Sequence, residues 1–449
     1  MQDRNKILLE SIKRLLRRNA TSHLRKIVNK THAADLSRLF QSLSLAHQQK
    51  VFDLIRDNEQ KGILFSEMDE DTFLDFIRDM KIEEMVAVLE GMPSDDVADL
   101  IERMPEETSD QILKKMKREG SEEVESLLGY EADSAGGIMT PDFIALPEEI
   151  TAGDAIRSIQ QEHLDVEMPF YLYVVDENRK LVGVSSLRQL VVSPAETPLR
   201  ELMTTDVFSV RTHTDQEEVA RLVARYDLLA VPVVDDTHTL VGIVTVDDVI
   251  DIIKEEATED ILRMAGAGVE FAESKSIVKS IRARLPWLFA SCLGGLGASF
   301  IIGSFTDILQ KVASIAAFIP IIAGMGGNVG TQSSTIVVRG LSTGSLHVRD
   351  IWRVVAKELS IGFLLGIAYG LFIGAVAQFE YRTFPLAVAV CSAVLASMSI
   401  AALVGSLVPM VMARLHIDPA VATGPFVTTS IDILAVYFYF HIATLLLGL

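Results

Sequence analysis

Asp432 stands alone as a carboxylate between Pro419 and Leu449, inside the otherwise apolar run GPFVTTSIDILAVYF. On a helix it lies about 20 Å along from Pro419. A carboxylate at that depth in a bilayer costs roughly 2.5–3.5 kcal/mol, so it is a candidate for handling an ion. The plainer alternative is a protonated Asp bonded to a neighbouring helix. A second polar stretch, GMGGNVGTQSST from Gly324 to Thr335, follows Pro320. Close helix packing accounts for its glycines. It does not account for Asn328, Thr331 and Gln332 together, and irregular backbone at membrane depth is tolerated beside a water-filled cavity.

A third set of candidates runs from Asp248 to Met264. Asp248, Asp251, Glu255 and Glu259 make a carboxylate stripe, with Glu256 and Asp260 beside it. Ile250, Ile253, Ala257, Ile261 and Met264 make an apolar stripe at helical spacing. Like charges so placed destabilise an isolated helix by ~0.2–0.5 kcal/mol per pair. The stripe is either a solvated face or a face loaded with cations. Residues 1–280 hold 55 acidic and 32 basic residues, against 6 and 9 in residues 281–449. That acidity repels nucleic acid and favours a divalent cation as partner. Cys292 and Cys391 lie in apolar stretches and suggest neither a disulfide framework nor a thiolate metal site. None of the nine histidines forms a His-Glu-x-x-His helix, so an intramembrane metalloprotease is excluded and no enzymatic activity is expected.

These groups need elements to position them. Leu285–Thr306, Val312–Val338, Leu359–Phe379 and Thr383–Ala413 carry no charge, and with the last run they make five candidate spans in a lipid bilayer. The expected spans are about 285–306, 312–338, 359–379, 384–412 and 420–447, in a transmembrane domain of residues 276–449. Lys275, Lys279, Arg282 and Arg284 precede the first span. Arg339, Arg349, Arg353 and Lys357 separate the second and third, and Arg414 follows the fourth. Only Lys311 and Arg382 lie on the other side. The N-terminus is therefore expected in the cytosol and the C-terminus outside.

Upstream, residues 1–32 form a basic amphipathic segment without the apolar core of a signal peptide. In 33–130, Met68, Met80, Met92, Met104 and Met116 recur every twelve residues, and Pro93 and Pro105 sit at helix starts. This predicts a superhelix of short helices with Met facing a continuous core. Residues 131–253 contain two copies of one pattern, 139–200 and 203–253. Each opens with MTPDFIAL or MTTDVFSV and ends on a strand pair, YLYVVDENRKLVGVSSL or AVPVVDDTHTLVGIVTV. They resemble tandem CBS domains, which commonly sense adenine nucleotides. A connecting helix, 248–275, leads to the membrane.

Taken in this order the parts resemble the MgtE family of magnesium channels over essentially the whole chain. The motifs are YEADSAGGIMTPD at 130–142, DQEEVARLVARYD at 215–227, VDDVIDIIKEEATEDI at 246–261, GGNVGTQSSTIVVRGL at 326–341 and DPAVATGPFVTTSID at 418–432. The resemblance implies a multidomain membrane protein: an α-superhelical N domain, tandem α/β CBS domains, a connecting helix and an all-α five-helix transmembrane domain, working as a homodimer in the cytoplasmic (inner) membrane. It implies a pore carboxylate at Asp432 and a second at the cytosolic mouth at Asp418; Asn328, from the polar stretch above, joins them as a pore candidate. It implies Mg²⁺-sensing ligands at Asp95, Asp99, Gly136, Glu217, Ala224, Asp227, Asp248, Asp251, Glu256, Glu259 and Asp260. A family glutamate falls on Gly62. Gln189 and Leu228 replace the expected ribose and adenine contacts, which argues against ATP.

The expected activity is Mg²⁺-selective conduction, closed by cytosolic Mg²⁺ that bridges the N domain, CBS domains and connecting helix. A sodium-coupled magnesium exchanger on the same fold and a membrane-anchored nucleotide sensor are the alternatives.

Overall fold

The computed structural model describes residues 2–162, 168–267, 277–421 and 424–448. The chain divides into two compact units, Met1–Ile253 and Lys254–Leu449. Lys275 and the expected end of the connecting helix lie outside the described residues.

The first unit opens with helices too short to hold alone, among them Glu70–Ile77, Ile82–Leu89, Ser94–Glu102, Glu106–Leu113 and Arg118–Leu127. One helix and its turn take about twelve residues, which is the period of the methionines. Met68 and Met104 are buried, and Met80, Met92 and Met116 pack against the same core. Asp57 and Asp69 cap helix starts by accepting from Glu59 and Thr72 backbone N–H groups. Pro93 and Pro105 take the same position at later starts, where a missing N–H costs nothing. Ile12 and Leu16, from the basic helix Gln2–Arg17, join this core.

Two three-stranded sheets follow. In one, β1 (Ala145–Pro147) lies parallel to β2 (Tyr171–Val175), which pairs antiparallel with β3 (Leu181–Ser186). In the other, β4 (Val210–Arg211), β5 (Ala230–Val234) and β6 (Leu240–Thr245) repeat that order. The segment opening each repeat crosses to the other sheet: Thr140 bridges Ile243, and Thr204 bridges Val184. Met139 lies over Gly242 and Met203 over Gly183, so a side chain at either glycine would strike the methionine.

Val246–Met264 is one helix. Its buried residues are Val249 and Ile252, while Ile250, Ile253 and Ile261 are exposed. This corrects the apolar stripe expected from spacing. The first turns fold back on the second sheet, where Val249 and Ile252 join Val231, Val233 and Val244.

Among its described residues the second unit holds five helices long and apolar enough to cross a membrane: Ile277–Ser304, Ala313–Ser342, Val348–Tyr381, Phe384–Arg414 and Pro425–Leu447. The fourth is central, packing on the second, third and fifth. Gly362, Gly366, Gly370 and Gly374 put a side-chain-free stripe of the third against Met398, Leu395 and Cys391 of the fourth. The first helix leaves Leu285, Leu288, Phe289, Leu293, Leu296 and Phe300 exposed.

Candidate ion path and cation-sensing sites

In the second membrane helix, Asn328, Thr331, Gln332 and Thr335 share one exposed face at helical spacing. With Ile336 they wall a cleft of about 400 Å³. The other face is buried, through Gly326, Gly327, Gly330, Ser333 and Ser334. Asp432, half-buried in the fifth helix, faces Gly327: a Cβ there would lie 4.0 Å from Asp432 Oδ1. Ile431 beside it fills the space over Gly326 and Gly330. The carboxylate thus lies close to the second helix just ahead of Asn328, at a distance that a side-chain carbon on Gly327 would also tolerate. Asp432 is not itself a wall of the cleft.

At the end of the connecting helix, Arg263 pairs with Glu259 and with Asp418. Asp418 Oδ1 also accepts from the Ala420 backbone N–H at 2.7 Å. Asp260 accepts from Ser342, at the end of the second membrane helix, at 2.9 Å. Burial holds the Asp260 carboxyl above the usual carboxylate range, and Asp418 adds to this. The fold thus gathers Glu259 and Asp418 around one guanidinium, with Asp260 near Asp418. Sequence reasoning passed over Arg263, although its position four residues after Glu259 signals a helical ion pair.

In the first unit, Asp95 and Asp96 occupy the first turn of Ser94–Glu102. Burial, then neighbouring carboxylates, pushes Asp95, Asp96 and Asp248 up to about 6. The repelling neighbours are Asp96 and Asp99 at Asp95, Asp248 and Asp99 at Asp96, and Asp95 and Asp247 at Asp248. Asp95 Oδ1 is buried without a hydrogen-bond partner. Asp248 accepts from Thr245 Oγ1 at 2.5 Å. Asp96 is the member that sequence reasoning missed. Met92 fills the space over Gly62, so a longer side chain there would strike it.

The remaining expected ligands are dispersed. Glu217 lies 3.8 Å from Arg221, Ala224 is exposed, and Asp227 ends its helix in a left-handed conformation, φ 52°. Gly136 is buried, its N–H donating to Thr212 O at 2.8 Å. Asp251 is exposed and Glu256 partly exposed along the connecting helix. Among the described residues, no three His, Cys, Asp or Glu side chains converge on a point fit for a metal ion.

The raised carboxyls carry a pH prediction. A native carboxyl that titrates near 6 holds a proton that the unfolded chain, titrating near 4, has released. Without divalent ions the first unit should therefore gain stability as pH falls from 6 towards 4, the full penalty standing above 6. Mg²⁺ competes with those protons. Mg²⁺ titrations of protease protection should need more Mg²⁺ at pH 5.5 than at 7.5. An unchanged midpoint would remove these aspartates from the binding set.

Comparison with known proteins gives three family matches. Residues 319–442 match the divalent cation transporter model MgtE, 31–133 the MgtE intracellular N domain, and 135–195 and 199–255 the CBS domain. The chain is 41% identical over 328 residues to the magnesium transporter MgtE of Thermus thermophilus, covering 72% of each. It is 36% identical over 446 residues to that of Enterococcus faecalis, covering 99% of this chain and 97% of that one. Among solved structures it resembles the cytosolic domain of the Mg²⁺ channel MgtE in complex with ATP. Identity there is 36% and TM-score 0.52, covering 54% of this chain and 99% of that one.

Proposed function

Because the chain belongs to the MgtE family of magnesium transporters, we propose that it conducts Mg²⁺ as a homodimer gated closed by cytosolic Mg²⁺. The observation that carries this is the Asp432 carboxylate set against Gly327, beside a helix whose exposed face is polar. Lipid does not favour Asn328, Thr331, Gln332 and Thr335 on an outer face. A second copy brings two such faces around one axis. Two Asp432 carboxylates then hold a hydrated Mg²⁺ through its waters, since the ion sheds them reluctantly. The balance of Lys and Arg supports a cytosolic first unit and a C-terminus outside.

Gating follows from repulsion. Asp95, Asp96, Asp99 and Asp248 crowd at the first sensing site, and Glu259, Asp260 and Asp418 at the pore mouth. Divalent ions relieve both clusters and hold the closed form. Glu217, Ala224, Asp227, Asp251, Glu256 and the Gly136 carbonyl are assigned to further sensing sites. Domain limits are proposed at 33–130, 131–253, 248–275 and 276–449. Mg²⁺ uptake by proteoliposomes with and without a sodium gradient tests conduction against exchange. Uptake that requires the sodium gradient contradicts the channel reading.

ATP is expected to bind weakly or not at all, although the similar cytosolic domain was crystallised with it. Gln189 stands where a carboxylate would hold a ribose, and its Oε1 is already engaged by the Ser186 backbone N–H at 2.9 Å. Asp248, its counterpart, takes Thr245 instead. Calorimetry should show no low-micromolar binding. A clear low-micromolar dissociation constant would overturn this reading.

A further inference from the structure

Glu358 is buried to 4% exposure in the third membrane helix, and none of the sites above uses it. Ser333 Oγ, also buried, donates to its Oε2 at 2.9 Å. A carboxylate withdrawn from water so completely is retained against a steep desolvation cost. Ser333 sits on the second membrane helix, on the face turned away from Asn328, Thr331 and Gln332.

Those two helices touch each other little, and each packs mainly on the fourth. The second buries Ile322, Val329, Val337 and Val338 beside a run of small residues, and its Ile322 O accepts from Ser397 Oγ of the fourth helix at 3.0 Å. Gly326, Gly327 and Gly330 face its neighbours, and Val337 supplies an apolar contact to Val354 and Val355 one turn beyond Ser333. The Ser333–Glu358 bond adds a directional tie to the third helix, on a stretch where glycines leave the packing smooth. About 100° of helix rotation per residue separates adjacent positions. A turn of that size would replace Asn328 with the apolar Val329 on the cleft, and a smaller one would swing Asn328 partly away from it.

We propose that Glu358 is a positioning residue for conduction: by accepting the Ser333 hydroxyl it sets the rotation of the second membrane helix and keeps Asn328, Thr331 and Gln332 on the ion path. The inference rests on the pore reading above.

The test uses the full chain in planar bilayers, with Ser333→Ala, Glu358→Ala, Glu358→Gln and the double alanine variant. Loss of this buried hydrogen bond should lower the Mg²⁺-to-K⁺ permeability ratio about tenfold in either alanine variant. The double variant should be no worse than the worse single one. Glu358→Gln keeps an acceptor oxygen and should stay near wild type. If Glu358→Gln fails while Ser333→Ala is normal, the charge acts and not the bond, and the proposal falls.

Asp432→Asn separates this from the pore reading. Normal selectivity there sinks the pore itself, whereas its loss alongside normal Ser333→Ala and Glu358→Ala sinks only the positioning role. Rotation is read directly by thiol labelling after Cys292 and Cys391 are changed to Ser. Adding Ser333→Ala should slow labelling at Asn328→Cys and speed it at Val329→Cys. Ser333→Ala removes a single oxygen, so this arm stands even if Glu358→Ala does not fold, and unchanged labelling overturns the proposal.

Discussion

Asp432→Ala should abolish Mg²⁺-selective conduction while the chain still inserts and dimerises. A divalent ion held through one water layer lies ~5 Å from a carboxylate, worth roughly 6–7 kcal/mol at an effective dielectric of about 20. Even if desolvation cancels half of that, more than about a hundredfold in ion occupancy depends on one side chain. The fold is not expected to suffer. Asp432 is only half-buried, and its neighbours Ile431, Ala435 and Val436 make the apolar contacts of the fifth helix. Alanine also fits easily beside Gly327. Currents measured in bilayers under bi-ionic conditions check the effect, with crosslinking to confirm assembly. Near-normal Mg²⁺-selective current would remove Asp432 from the ion path.

The second large effect is expected in gating. Changing Asp248, Asp251, Glu256 and Glu259 together to Asn or Gln should raise the Mg²⁺ needed for closure about tenfold or more. Residues 51–280 carry 52 acids against 21 bases, but charges farther apart than ~8 Å are largely screened at physiological salt. Clustered carboxylates alone should respond specifically to a divalent ion. To move a gate from 1:99 to 99:1 takes ~5.5 kcal/mol of preference for one state, shared among several weak sites. The linker around residues 130–140 offers the readout, because Ala135 and Gly136 dock on Thr214 and Thr212 through backbone hydrogen bonds. Its protection from protease should depend on millimolar Mg²⁺ in the wild type and much less in the variant. Equal protection in both would make the stripe a solvated face.

Much of this fold is legible in the sequence because its signals are local. The twelve-residue methionine period is one helix and one turn, and the repeated strand pairs differ little between copies. The buried face of the connecting helix was not legible. Val249 with Ile252 and Ile250 with Ile253 both have helical spacing, and only the sheet behind them selects between the pairs. The five spans are visible in charge alone, whereas Arg263 finds Asp418 across 155 positions and Ser333 finds Glu358 across 25. No spacing rule reaches that far. Asp96 was missed for a different reason: the burial that couples it to Asp248 exists only once the N-terminal helices stack against the second repeat.

Single-channel recording against cytosolic Mg²⁺ tests the central claim most directly. The account predicts unitary, divalent-carrying openings at micromolar cytosolic Mg²⁺ that disappear as it reaches the millimolar range, with no requirement for a sodium gradient. Openings indifferent to cytosolic Mg²⁺, or sodium-driven flux without unitary events, would contradict it.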